Sequence, residues 1–151
     1  MKTQLSIFSD EYFMREAIKE AYKALEKNEI PVGAIVVCNN EIIARGHNLS
    51  ITLNDVTAHA EMQAITAATN YLGSRYLNDC VMYITLEPCV MCAGAIYWSQ
   101  LGKLVYGASD EKKGYATVSQ QIIHPKTKVK KGILQEETQK ILQNFFNQLR
   151  R

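Results

Sequence analysis

Apolar positions recur along this chain at two spacings. After Ser9 and Asp10, whose side chains suit a helix N-cap, Phe13, Ala17, Ala21, Ala24 and Leu25 follow at helical intervals. They predict an amphipathic helix reaching about Asn28. Residues 32–38 form a continuous, β-branched apolar run, Asn39-Asn40 signals a turn, and residues 41–45 resume as a strand, so a hairpin is expected. Residues 47–57 read as a loop. Helical periodicity returns over residues 58–71, with His59 and Glu61 in its first turn. A strand is expected at 81–86, a helix at 88–100 and a strand at 103–106. A loop-rich stretch follows, with a lysine-rich strand candidate after His124-Pro125-Lys126. The last element is a helix over residues 135–149, with Ile141, Leu142, Phe145 and Phe146 as its buried or contact stripe. Strands alternating with helices predict an α/β sandwich with a mixed sheet.

Two short motifs carry chemistry. Residues 59–61 read His-Ala-Glu, and residues 88–92 read Pro-Cys-Val-Met-Cys. Together they spell the H-x-E and P-C-x-x-C pattern of zinc deaminases. Imidazole nitrogen and thiolate sulfur are common zinc ligands, and a catalytic site keeps one position for water. His59, Cys89 and Cys92 would supply three ligands and leave a fourth. The i, i+3 spacing of the cysteines puts both sulfurs on one side of a helical turn. Pro88 suits a helical first turn, and the helix N-terminus favours ionised thiols. Glu61 is not needed as a ligand; a carboxylate beside metal-activated water can relay its proton.

Each motif alone has blander readings. A lone C-x-x-C is also a redox pair or half of a structural zinc site. A four-cysteine site would need Cys38 and Cys80, but both lie in apolar strand-like runs and read as small buried hydrophobes.

Composition narrows the class. A chain of 151 residues fits one domain spanning 1–151, and 47% apolar residues can fill a core. No apolar run is long enough to cross a membrane. Residues 1–12 lack a signal-peptide core, and four cysteines without one suggest reduced thiols in the cytoplasm. The net charge of +2 does not by itself identify a nucleic-acid binder. The basic residues are nevertheless grouped: Lys112 and Lys113, then Lys126, Lys128, Lys130 and Lys131, and finally Arg150 and Arg151. Such patches hold phosphates, and they are also common on solvated surfaces.

Several longer stretches resemble the bacterial tRNA-specific adenosine deaminases, within the cytidine deaminase-like superfamily. They are Met14-Arg15-Glu16-Ala17, Ile30-Pro31-Val32-Gly33-Ala34, residues 57–61, residues 85–95 (Thr-Leu-Glu-Pro-Cys-Val-Met-Cys-Ala-Gly-Ala) and residues 105–110 (Val-Tyr-Gly-Ala-Ser-Asp). The residues around Gly132-Ile133-Leu134 and Phe145-Phe146 look like the family's C-terminal region. The resemblance implies a three-layer α/β/α sandwich with a mixed five-stranded sheet and one Zn²⁺ per chain. It also implies conversion of adenosine to inosine at the tRNA wobble position, typically in the arginine tRNA reading ACG. Carried over, His59, Cys89 and Cys92 bind zinc and Glu61 shuttles protons. Asn48 hydrogen-bonds the flipped base, Ile30 and Leu86 line its pocket or simply pack the core, and Asp110 contacts RNA beside the target base. The implied partners are the tRNA anticodon stem-loop and a second copy of the chain, with Ile96, Tyr97 and Trp98 as interface or core.

The chain departs from the family pattern in two places. The family's Gly-Ala-x-Gly-Ser-like loop is here Gly114-Tyr115-Ala116-Thr117-Val118-Ser119, and the Asn-His pair before Gly132 is missing. Tyr115 either stacks on a base or fills space. Two alternatives therefore stand beside the leading reading: a guanine or cytosine free-base or nucleoside deaminase on the same fold, and a non-catalytic zinc-stabilised RNA-binding module. Glu61 speaks against the second, since a structural site has no use for that acid.

Overall fold

The computed structural model describes residues 8–150. The part of the 1–12 stretch before Phe8, and Arg151 of the terminal arginine pair, lie outside the described residues. Helix α1 (Asp10–Glu26) opens where expected: Ser9 accepts the Tyr12 N–H at 3.1 Å as its N-cap. It stops slightly short of the expected end, with Lys27 as C-cap and Asn28 in a left-handed conformation at φ 60°. Strands β1 (Gly33–Cys38) and β2 (Glu41–His47) form the hairpin, and Asn39 and Asn40 both adopt positive φ. Two left-handed residues give the turn a twist that matches its strands, and asparagine tolerates them best after glycine.

Helix α2 (Ala60–Leu72), β3 (Cys80–Leu86), α3 (Val90–Ser99) and β4 (Lys103–Ala108) follow, then two short 3₁₀ turns at Tyr115–Thr117 and Gln120–Ile122. The lysine-rich candidate is strand β5 (Lys128–Lys131), and α4 (Gln135–Leu149) ends the fold on the predicted residues. The sheet order is β2-β1-β3-β4-β5; β1 runs antiparallel to both neighbours, and β3, β4 and β5 are parallel.

Alternation along β1 assigns the layers. Ala34 and Val36 join a cluster with Ala60, Ala64 and Ala68 of α2 and Ile96 of α3. Ile35 and Val37 point the other way, to Phe13, Met14, Ala17 and Ile18 of α1 and Ile141 of α4. The result is an α/β/α sandwich with two cores, one on each face of a mixed five-stranded sheet. Asp10 ties α1 across the sheet: it accepts hydrogen bonds from Tyr83 Oη on β3 at 2.8 Å and from Lys130 Nζ on β5 at 2.7 Å. No described helix is long and apolar enough to cross a membrane.

Gly33 lets α1 sit directly on the strand. A β-carbon there would overlap the backbone of Ala17 and Ala21, whereas one at Gly94 of α3 meets nothing within 4 Å. Replacing Gly33 with Ala should therefore cost about 3 kcal/mol or more by overpacking. Replacing Gly94 with Ala should be neutral or stabilise by up to about 1 kcal/mol through helix propensity. Urea denaturation of the two variants beside the parent checks the contrast.

Candidate metal and deaminase site

The chemistry-bearing residues gather beyond the C-terminal ends of β3 and β4. Leu86 at the end of β3 pairs with Ala108 at the end of β4. The start of β1 lies between the ends of β2 and β3, with Gly33 opposite His47 and Ala34 opposite Ile84. Residues 30–32, 48, 86–89 and 109–110 therefore share one edge of the sheet, the edge where open α/β sheets bind ligands.

Two helices begin at this edge. His59 is the N-cap of α2 and Cys89 the N-cap of α3, and neither spends its side chain on capping. Cys92 lies one turn into α3 and is buried. Pro88, expected inside the first helical turn, sits just before the N-cap. The helix starts two residues later because Pro88 O accepts the Tyr115 N–H at 2.9 Å and Cys89 bridges to Gly114.

The three side chains converge. His59 Nδ1 lies 3.6 Å from Cys89 Sγ and 3.5 Å from Cys92 Sγ, and the three candidate ligand atoms all fall within 4.8 Å of one another. Nitrogen and sulfur ligands sharing one tetrahedral zinc stand about 3.6 Å apart, given the usual bond lengths. The donor set and its spacing thus fit a single zinc with one position open. Among the described residues this is the only such group. Cys38 and Cys80 do not join it: they face each other across β1 and β3, and burial together with Cys38 pushes the Cys80 thiol up to about 12.

The electrostatics suit metal binding. A hydrogen bond from Cys92 and the nearby His59 outweigh burial and draw the Cys89 thiol down to about 4. The same hydrogen bond and burial push Cys92 up. Metal binding needs both sulfurs as thiolates, so a bound ion would release protons from this pair. Glu61, in the first turn of α2, is buried and in hydrogen-bond contact with Cys92. Burial pushes its carboxyl up to about 7, against an opposing backbone hydrogen bond. A carboxyl poised near neutrality can both take and return a proton.

The remaining expected residues divide. Asn48 is buried beside β1, with its N–H on Val32 O at 3.2 Å, and its side-chain oxygen accepts the Ser50 N–H at 3.3 Å. Ile30 is exposed at the same sheet end, while Leu86 packs against the larger core cluster. Asp110 spends Oδ1 on the N–H groups of Lys112 and Lys113, at 3.1 and 3.0 Å, which folds its own turn. Tyr115 fills space: it is buried against Tyr106, with ring centroids 6.4 Å apart. His124, where the family's pair is missing, packs on Tyr97 at 5.0 Å. Ile96 is core and Trp98 is 75% exposed; Phe145 is buried and Phe146 exposed.

Three buried carboxylates had no role in the sequence reading: Glu20, which pairs with Lys23, Arg45 and His47 on the α1 side of the hairpin, and Glu29 and Glu87 near the site. Glu87 accepts the N–H groups of Asp110 and Ala116, each at 3.0 Å, and so fastens the loop beside Cys89. Glu29 binds the loop that follows β2. The available signal was an acid within two residues of a proline just outside a strand, Glu29 before Pro31 ahead of β1 and Glu87 before Pro88 after β3.

Comparison with known proteins agrees with the geometry. The family model for the cytidine and deoxycytidylate deaminase zinc-binding region matches residues 8–108, so the chain is a zinc-dependent deaminase of that family. The tRNA-specific adenosine deaminase of Bacillus subtilis is 46% identical over 147 residues, covering 94% of this chain and 91% of its own. A solved tRNA:A34 deaminase superposes with a TM-score of 0.80 at 39% identity, covering 87% of this chain and 99% of its own. A guanine deaminase from Bacillus subtilis superposes less completely, with a TM-score of 0.63 at 37% identity over 75% of this chain and 76% of its own. Matched along nearly its whole length, the chain belongs to the tRNA-specific adenosine deaminases.

Ligand and proton-relay roles separate experimentally. Replacing His59 or Cys92 with Ala should drop zinc from about one per chain to near zero by elemental analysis. Replacing Glu61 with Gln should leave the zinc in place and lower turnover by about 10³-fold or more. Turnover surviving in Glu61→Gln would remove the acid from the mechanism.

Proposed function

We propose that this enzyme converts the wobble adenosine of an arginine tRNA with an ACG anticodon to inosine, working as a homodimer in the cytoplasm. The observation that carries the reading is the convergence of His59, Cys89 and Cys92 beside the buried Glu61. When bound by those three side chains, zinc supplies the Lewis acidity that makes water a nucleophile near neutral pH. Glu61 takes a proton from that water as the new C6–O bond forms and the C6–N1 π electrons move onto N1, and passes that proton to N1. It then relays the remaining hydroxyl proton to the amino group as the C6–N bond breaks, ammonia leaves and the C6 carbonyl forms. Asn48 hydrogen-bonds the extruded base, Ile30 and Leu86 border it, and Asp110 meets the neighbouring nucleotide. An anticodon loop suits such a site because extruding an unpaired base costs little. A cytoplasmic setting keeps both ligand thiols reduced.

Charge and surface support the macromolecular part of the reading. Lys112, Lys113, Lys126 and the whole of β5 are exposed, with Lys130 shared with Asp10. Exposed apolar side chains gather elsewhere: Trp98 of α3 and Tyr76, with the half-buried Ile65 beneath them, line a cavity of about 600 Å³ that a second copy would cover. The partial similarity to a guanine deaminase, together with the Tyr115 loop, keeps a free-base deaminase as the second reading.

Inosine should form only at the wobble position when the enzyme meets arginine tRNA alongside free guanine, cytosine, adenosine and cytidine. Turnover of a free base without tRNA product would transfer the mechanism to the second reading. Affinity for tRNA should fall with salt, with a log–log slope of about −0.7 for each phosphate neutralised. Light scattering should give twice the chain mass for the parent and the single-chain mass for Trp98→Glu. A monomeric parent would contradict the dimer.

A further inference from the structure

The loop joining β2 to α2, residues 48–59, has Asn48 at one end and His59 at the other. Its own hydrogen bonds close its neck, with Leu49 N–H on Ala58 O at 2.9 Å, and fold its tip, with Asp55 N–H on Ser50 O at 2.9 Å. Apolar packing does little to locate its middle. Ile51, Leu53 and Val56 are 70%, 53% and 85% exposed, so hydrophobic burial cannot choose where the loop lies.

What does reach the middle of the loop is Glu29. Its carboxylate is fully buried, just ahead of β1. Oε1 accepts the Ile51 N–H at 3.1 Å. Oε2 accepts the Thr52 N–H at 2.6 Å and the Thr52 hydroxyl at 2.7 Å. Glu29 is in none of the ion pairs among the described residues. Burial alone would raise its carboxyl; the donors from Thr52, Ile51 and Ser50 outweigh it and hold the group below its ordinary value. A buried carboxylate satisfied by loop donors alone ties the loop to the sheet with short, charge-assisted bonds.

We propose that Glu29 is a positioning residue: its buried carboxylate clamps the middle of the 48–59 loop and thereby sets the orientation of Asn48 toward the reacting base. The inference rests on the reading of Asn48 as the base-binding residue. Displacement of a positioning group by about 1 Å lowers turnover by about 10²-fold.

The test uses the full-length holoenzyme as E29Q, T52A and the double variant. Glutamine keeps the shape but turns an N–H donor toward loop donors. E29Q should keep one zinc per chain, lower kcat for inosine formation by about 10- to 100-fold, and speed amide exchange at Ile51 and Thr52. T52A should lower kcat several-fold, and the double variant should be no worse than E29Q, since both changes act through one clamp. Parental kcat and KM in E29Q with only a lowered Tm would overturn the proposal. So would multiplicative effects in the double variant, or zinc loss in proportion to activity. If E29Q does not fold, T52A decides, and parental kcat in T52A overturns the clamp. Amide exchange needs no substrate, so parental protection in E29Q overturns it even if the tRNA assay itself fails for the parent.

Discussion

Everything else in this structure depends on bringing two helix starts to one point. A zinc ion needs ligands a few ångströms apart, yet the sequence separates His59 from Cys89 by 30 residues. The sheet closes that gap. β3 runs directly into Cys89, while the β1–β2 hairpin and the loop after β2 deliver His59 from the other side. The small residues Ala60, Ala64 and Ala68 let α2 lie close on the sheet, so its first residue arrives at the same edge as α3. Using N-cap positions for two of the three candidate ligands leaves their side chains free. It also turns the positive ends of two helix dipoles toward anionic thiolates.

Around this point the fold relies on polar clamps more than on packing. The two loops flanking the candidate site contribute few buried apolar groups, and each is fastened by one buried carboxylate, Glu29 or Glu87. Burying a carboxylate without a cation is unfavourable unless its oxygens are fully hydrogen-bonded. Among the described residues no buried side-chain nitrogen or oxygen lacks a partner, so the condition is met. Gly114 completes the second clamp, because a β-carbon there would collide with the Glu87 carboxylate. That requirement explains why the loop keeps its glycine while tolerating a bulky Tyr115, whose ring finds room against Tyr106.

Most of the layer order was legible from the sequence. Among the described residues periodicity identified the four α-helices and strands β1 to β4, and α4 even on its terminal residues, because its amphipathic stripe is unbroken. Strand β5 was only a lysine-rich candidate, because its four residues are all exposed and carry no apolar alternation. Ends were harder. The α3 start lies beyond Pro88 because the proline carbonyl and Cys89 are engaged by the 109–116 loop, a tertiary contact that local spacing does not encode. The metal-ligating residue types were legible because few other chemistries use them at that spacing. Glu29 and Glu87 escaped notice because a buried acid and a surface acid look alike until the loop donors appear in space. Tyr115 left both of its readings open for the same reason: whether an aromatic stacks outward or packs inward is decided by what lies beneath it.

Zinc K-edge X-ray absorption on the holoenzyme tests the central claim most directly, because it counts ligand atoms by type. The account predicts two sulfur neighbours at about 2.3 Å and two lighter nitrogen or oxygen neighbours at about 2.0–2.1 Å. A shell of four sulfurs, or one without sulfur, would contradict it.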